Sequence, residues 1–451
     1  MRAFLSILLA TALLPAVAGA KPYTVDVRQA SGPSPFAAGC PGAAFDATNV
    51  TGQELEPSVT ADPTNPRNVI GAWKQDVGPD STRSDLVGHS HDGGRTWQRT
   101  AIPGLSKCSG GTADGGSDPW VSAGADGTAY FAGLAPFFHG ATPASAIVAS
   151  HSRDAGRTWA RPATLSPPAE GNEMPAITGS RKHRATAYTV WAEFATAAIR
   201  FSRSADGGRT WSAPVVIDPA IPEAIDLVPR LVELPSGTLV TTFARAEFAT
   251  NTGKVYASRS EDGGATWSAP VEVLSQPIES FADDRGEPLP QPQFPNVAVA
   301  PDGAIYATVE ADTSATAGVI AVARSRDEGR SWTTVTSPGV GAYAFEPAIA
   351  VDPHGTVGVT WYDLRNDRPG DAALTADVWF ASSCDGGASW KETHVAGPTD
   401  LRTGALGRQN YVGEYQGIAA LGKRSFGAMF VLAAPFATDG PTDVFFARIR
   451  R

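Results

Sequence analysis

Apolar and polar residues alternate along most of the chain in short runs, broken by clusters of Gly, Pro, Asn and Asp. Such period-two alternation predicts half-buried β-strands, and the breaks predict turns. The first stretch shows the scheme: EPSVTADP from Glu56, NVIGAWKQ from Asn68, LVGHSHDG from Leu86 and WQRTAI from Trp97 read as successive strands. The scheme recurs, with the first strand of each later group expected near Asp118, Glu173, Arg230, Phe294 and Glu346. No amphipathic helix is found.

Between the third and fourth strand of each group lies one recurring unit. Ser204–Trp211 (SADGGRTW) has relatives at Ser90–Trp97 (SHDGGRTW), Ser152–Trp159 (SRDAGRTW), Ser260–Trp267 (SEDGGATW), Ser325–Trp332 (SRDEGRSW) and Ser383–Trp390 (SCDGGASW). Its aspartates, Asp92, Asp154, Asp206, Asp262, Asp327 and Asp385, are 62, 52, 56, 65 and 58 residues apart, the mark of a repeat architecture. Physically the unit is a hairpin turn in which a carboxylate accepts backbone N–H bonds and Gly supplies a positive φ. The series resembles the Asp box, or bacterial neuraminidase repeat, of sialidase-like β-propellers. That resemblance puts the boxes on the face opposite the active site. The six aspartates are therefore read as structural, and box arginines such as Arg95 and Arg209 are discounted as substrate ligands.

Four strands per unit make one propeller blade. After the sixth box three more runs follow, from Tyr415, Ser425 and Asp443, which is one strand short of a blade. The alternating run Tyr23–Val27 supplies the fourth and closes the ring, removing exposed sheet edges. The expected fold is all-β: seven four-stranded antiparallel blades, six with boxes and one composite, with six blades as the alternative. Residues 21–451 are read as a single domain, with the loops at 31–55 and 396–412 covering the ring.

Composition adds compartment and chemistry. Residues 1–20, with Arg2, an apolar run and Ala18-Gly19-Ala20, read as a secretory leader cleaved after Ala20. A secreted or periplasmic, monomeric protein without a membrane anchor is expected. The formal charge of −10, or −11 once Arg2 leaves with the leader, disfavours nucleic acid as a partner, although local basic patches remain open. Of the 3 cysteines, Cys40 and Cys108 lie in Gly/Pro/Ser-rich loops and are expected to form a disulfide, leaving Cys384 free. No zinc-type spacing is present, so no cofactor is expected, with a bound calcium ion left open.

Candidate chemistry gathers where the innermost strands begin and the second strands end, because a propeller converges both on its central channel. Glu56-Pro57, Asp118-Pro119 and Glu346-Pro347 share an acid-Pro start, and Glu173-Met174-Pro175 is one residue looser. Second strands end in Trp73-Lys74-Gln75-Asp76, Trp191-Ala192-Glu193, Glu310-Ala311-Asp312 and Trp361-Tyr362-Asp363-Leu364-Arg365. Crowded carboxylates separate into acid and base, and aromatic faces stack on sugars. The acid-Pro starts are also explained as structural, each carboxylate fastening neighbouring blades. The candidate catalytic residues are Asp76, Glu173, Glu346, Asp363, Glu414 and Tyr415; the candidate substrate-binding residues are Trp73, Trp191, Arg230, Arg365 and Arg402.

The pieces Trp-x-Gln-Asp, Cys-Ser-Gly-Gly, Ser-Asp-Pro-Trp and Asp-Leu-Arg-Thr make the chain resemble exported bacterial exo-α-sialidase-like proteins. The resemblance implies a three-arginine clamp, a Tyr nucleophile with a Glu partner, and an Asp acid/base. Glu414 and Tyr415 imitate the pair, Asp76 the acid, and Arg230, Arg365 and Arg402 a different clamp. The first clamp arginine is missing: its Arg-Ile-Pro is replaced by Glu56-Pro57-Ser58. The expected function is glycoside hydrolysis on terminal sugars of a glycan. The alternatives are a non-catalytic propeller that binds glycan or protein and, more distantly, a polysaccharide lyase.

Overall fold

The computed structural model describes residues 22–36, 40, 49–78, 82–138, 143–219, 221, 223–247, 252–277, 282–289, 294–312, 318–339, 343–406 and 410–451. The expected leader lies outside them. Seven four-stranded antiparallel sheets form the ring of a β-propeller. Numbered along the chain, blades 1 to 7 begin with the innermost strands Glu54–Ala61, Ser117–Ala123, Asn172–Gly179, Ala224–Glu233, Asn296–Val299, Ala344–Val351 and Gly417–Gly422.

Blade 7 is the composite one. Its outermost strand is Thr24–Gln29, which pairs antiparallel with Asp443–Arg450 in the register Thr24 to Arg450 through Gln29 to Phe445. Joining the two ends of the chain in one sheet pairs Asp443–Arg450 on both sides and closes the ring. Two innermost strands differ from the expected starts. Blade 4 begins six residues before Arg230, at Ala224, because a bulge between Leu227 and Arg230 lets pairing continue past Pro229. Blade 5 begins at Asn296, after Phe294-Pro295.

Blades pack face to face, so their middle strands are buried on both sides: every residue of Val69–Val77 is buried. Trp73, Trp191 and Trp361, each 0 % exposed, fill these interblade layers.

The boxes are built as their residues dictate. In the third, Ser204 Oγ donates to Asp206 Oδ1 at 2.9 Å and accepts from Gly208 N at 2.9 Å, while Thr210 N and Thr210 Oγ1 donate to the two carboxylate oxygens at 3.0 and 2.6 Å. Gly94, at φ 86°, serves a second purpose: a Cβ there would lie 2.0 Å from the Phe446 ring of blade 7. Trp97 meets the same ring edge-on at 5.1 Å, so the box fastens one blade to the next. Cys40 and Cys108 are disulfide-bonded and Cys384 is free and exposed.

Candidate functional site

Five innermost strands open in the same unusual way. Glu56, Asp118, Met174, Val228 and Glu346 each precede a proline and have φ of 56°, 53°, 53°, 51° and 51°. Each lies in a bulge where the ladder to the second strand skips, between Leu55 and Ser58, Ser117 and Trp120, Glu173 and Ala176, Leu227 and Arg230, and Phe345 and Ala348. Proline has no N–H for the ladder, and the bulge absorbs that loss. A left-handed residue with a side chain, before proline, is strained and persists only where packing enforces it. The equivalent position in blade 3 is thus Met174, with Glu173 just before it. Val228 shows that the device itself is structural; the acids at three of the five positions are an addition to it.

These starts bring residues of four blades together. Lys74 Nζ, from the second strand of blade 1, lies 3.0 Å from Glu56 Oε1 and 3.9 Å from Asp118 Oδ1. Tyr411 Oη donates to Glu56 Oε1 at 2.9 Å. Asp118 accepts from Ser117 Oγ at 2.7 Å and from Met174 N at 3.1 Å, which ties blade 2 to blade 3 beside Glu173. Asp85 is fully buried next to this group, and neither of its carboxylate oxygens has a hydrogen-bond partner. Around the mouth, Tyr415 Oη donates to Pro119 O at 3.2 Å, and its ring is 5.5 Å from that of Trp120. Arg230 lies with Cζ 4.0 Å from the centre of the Trp120 ring and 5.6 Å from that of Tyr415.

Electrostatics divide the acids. Burial pushes the Glu173 carboxyl up, and Asp118, Glu414 and Glu56 push it further against the pull of Lys74, to about 8. Burial also raises Glu346 well above the carboxylate range, with Glu56 and Glu414 adding to it. Asp85 is raised well above its ordinary value by burial, which outweighs the opposing Lys74. Burial lowers Arg230 to about 10 and raises the Tyr415 hydroxyl well above its ordinary value. Glu173 and Lys74 wall a cavity of about 220 Å³, together with Ser117, Leu134, Pro136 and Gly171. It opens at the strand ends opposite the boxes. A separate cavity of about 660 Å³ fills the axis on the box side, from Trp120 and Arg230 to the turns at Pro63, Pro235, Pro301 and Pro353.

The other candidates lie elsewhere. Asp76, 0 % exposed, accepts from Ser34 Oγ, Gly52 N, Gln75 Nε2 and Arg83 Nη1 at 2.6 to 3.0 Å, holding the cover loop to blade 1. Asp363 accepts from Trp361 Nε1 and Arg365, whose far end reaches Glu392 at 2.8 Å in the outermost strand of blade 6. Arg402 pairs with Asp283 and Asp284 and joins two loops. Trp73 and Trp191 are fully inside the core and present no face to a ligand. Glu346 and Glu414 belong to the central group through their influence on each other, and Gln416 Nε2 donates to the Glu346 carbonyl at 2.8 Å. Lys74, Asp85, Trp120 and Tyr411 complete the group without having stood out in sequence. Trp120 directly follows an acid-Pro start and ends the Ser-Asp-Pro-Trp piece, and these are the signals that mark it. Among the described residues, no group of three or more His, Cys, Asp or Glu is arranged to hold a metal ion.

Seven four-stranded blades with a repeated Asp box define a sialidase-like β-propeller fold. Residues 145–359 and 195–409 each match the BNR repeat-like domain, and together these matches span more than half of the chain. The chain belongs to this family of sialidase-like β-propellers. Among solved structures it is similar to a protein of unknown function from Dyadobacter fermentans, with 16% identity, 88% of this chain and 94% of that chain covered, and a TM-score of 0.50. It is also similar to an ulvan lyase, a polysaccharide lyase, at 12% identity, with 88% and 94% covered and a TM-score of 0.50. A Hadza microbial sialidase shares 15% identity over 88% of this chain and 66% of that chain, with a TM-score of 0.47. At such identities the likeness is one of fold. No curated protein matches the chain.

Proposed function

We propose that this protein is an exported glycoside hydrolase that removes terminal sugars from a neutral glycan, with Glu173 as the proton donor. The observation that carries the reading is Glu173 itself. It is a carboxyl raised to about 8 in the wall of a cavity, beside carboxylates gathered around Lys74. Acid/base cleavage of a glycosidic bond uses a pair of carboxyl groups, one of which holds a proton to donate. Glu173 protonates the leaving oxygen, and Asp118 or Glu56 acts on the opposite side of the sugar as base or nucleophile. The family match supports a glycan as the ligand. The disulfide fits an oxidising compartment, and among the described residues no helix is long and apolar enough to cross a membrane.

A neutral sugar fits better than a sialic acid. Arg365 and Arg402 are committed to other acids and Arg230, buried, lines the box-side cavity, so among the described residues no arginine lines the cavity walled by Glu173, and the acidic ring repels a sugar carboxylate. The Tyr415 hydroxyl, bonded to Pro119 O and held protonated by burial, forms wall instead of nucleophile. One observation favours the binding-propeller alternative: Asp118 fastens blade 2 to blade 3 through Met174 N, a purely structural employment.

The test is a screen of sugars released from a mixed glycan panel by the wild type and by Glu173→Gln. Release of a neutral monosaccharide by the wild type, lost in Glu173→Gln, is expected. No release by a wild type that still retains glycan on an array would establish the binding reading, and release of sialic acid would refute a neutral substrate.

A further inference from the structure

Among the described residues that line the cavity beside Glu173, the ionisable ones are Glu173 itself, from blade 3, and Lys74, from blade 1. Lys74 is held in place from several sides. Its Nζ lies 3.0 Å from Glu56 Oε1 and 3.9 Å from Asp118 Oδ1, and Tyr411 Oη bonds the same Glu56 oxygen. Asp85 stands directly opposite Lys74 in the ladder of blade 1 and is fully buried, yet neither of its oxygens receives a hydrogen bond. The ammonium is turned past that neighbour to Glu56 and the mouth.

Nothing in the plan of a blade demands a lysine there. Lys74 pairs with Leu55, the last ladder residue before the bulge at Glu56. The residues at the same register position in blades 2, 3, 4 and 6 are Leu134, Ala192, Ala244 and Tyr362. Two of those blades also carry an acid in the bulge. Asp118 is bonded by Ser117 Oγ and Met174 N, and burial keeps Glu346 protonated, so a bulge accepts a carboxyl without a lysine on its own second strand. The cation of blade 1 is an addition to the repeat, placed where the cavity lies.

We propose that Lys74 is a positioning residue of the site: anchored on Glu56, it supplies the positive charge that offsets the carboxylate Glu173 becomes on giving up its proton. Its part in turnover rests on the hydrolase reading above. As the bond from the anomeric carbon to the leaving oxygen breaks, the electron pair stays on that oxygen, which takes the Glu173 proton. The anomeric carbon gains a bond from the second carboxylate, or from a water that this carboxylate deprotonates. Glu173 is then negative in a buried wall, where the charges of Asp118, Glu414 and Glu56 oppose it and that of Lys74 favours it. Without the ammonium, Glu173 would hold its proton too firmly to donate it well. A lysine suits this task because its charge is compact and its stem is long enough to serve two carboxylates.

The test is a carbon-13 NMR titration of the full chain labelled at the glutamate carboxyl carbon, with the Glu173 signal assigned by its loss in Glu173→Gln. Lys74→Met should move the Glu173 midpoint to higher pH, and Lys74→Arg, which keeps the charge, should leave it near the wild-type position. On a substrate that the wild type cleaves, the alkaline limb of the pH–rate profile should move the same way in Lys74→Met, and kcat should fall with KM little changed. If Lys74→Met does not fold because Glu56 is left buried without a cation, the double variant Lys74→Met/Glu56→Gln removes both partners and is compared with Glu56→Gln alone. A Glu173 midpoint unmoved by loss of the lysine, or moved equally by Lys74→Arg, would overturn the proposal. A midpoint that moves as expected in a chain that releases no sugar would establish the link between the two residues and refute the hydrolase reading instead.

Discussion

The two faces of this propeller use the same residue types to opposite ends. On the box face, Asp385 is drawn down to about 2 by hydrogen bonds from the Ser389 and Ser383 hydroxyls and the Ser389 backbone. Asp206 reaches about 2 as well, since burial, which would raise it, is outweighed by Thr210, Ser204 and Arg209. At the mouth, Glu173 is driven up to about 8 by burial and by acids from other blades. The difference lies in where the neighbours come from. A box aspartate is surrounded by donors of its own turn, so its ionised form is stabilised locally. A mouth acid is surrounded by acids that share only the channel, so ionising one makes the next harder to ionise.

The largest expected effect is on catalysis. Glu173→Gln should lower turnover by ~10²–10⁴-fold, the typical worth of a general acid, while leaving the thermal midpoint near that of the wild type or above it. Loss of activity together with loss of fold would make Glu173 a structural acid like those of the boxes.

On the other face, Asp206→Ala should cost ~1–4 kcal/mol of stability through its lost turn hydrogen bonds, measured by denaturant unfolding, with turnover per folded molecule unchanged. A stable Asp206→Ala variant with impaired turnover would erase the division between faces.

The pH–rate profile sharpens the comparison. Glu173 must be protonated to donate, so activity should fall as pH rises through about 8. Glu414→Gln removes a neighbouring negative charge that raises Glu173, and should move that limb to lower pH. An unmoved limb would mean that the Glu414 charge has no part in setting it.

The smallest effect is in the pH dependence of stability. The box aspartates titrate below their unfolded value of ~3.9, so their contribution is complete above that pH and is lost as pH falls toward about 2. Glu173 titrates above its unfolded value of ~4.3, so its contribution works against folding progressively from there to about 8. The thermal midpoint should therefore be highest in mildly acidic buffer, and Glu173→Gln should flatten only the alkaline side.

What the sequence by itself determined was everything set within a few residues or by counting. The spacing of Asp92, Asp154, Asp206, Asp262, Asp327 and Asp385, and the missing strand that Thr24–Gln29 supplies, were sufficient for seven closed blades. Each box carries its own donors, so eight consecutive residues specify its geometry and its charge state. The acid-Pro starts were legible as a motif, though not the bulge that aligns Met174, in place of Glu173, with Glu56. The composition of the mouth was decided only by the tertiary structure. Trp73 and Trp191 carry no local mark of burial between blades, and Asp76 and Arg402 find partners far along the chain. Nor does anything near Lys74 in sequence announce that it will sit between Glu56 and Asp118. Hydrogen bonds of a turn follow from short-range geometry, whereas the field at a channel mouth is a sum over side chains that only ring closure brings within Coulombic reach.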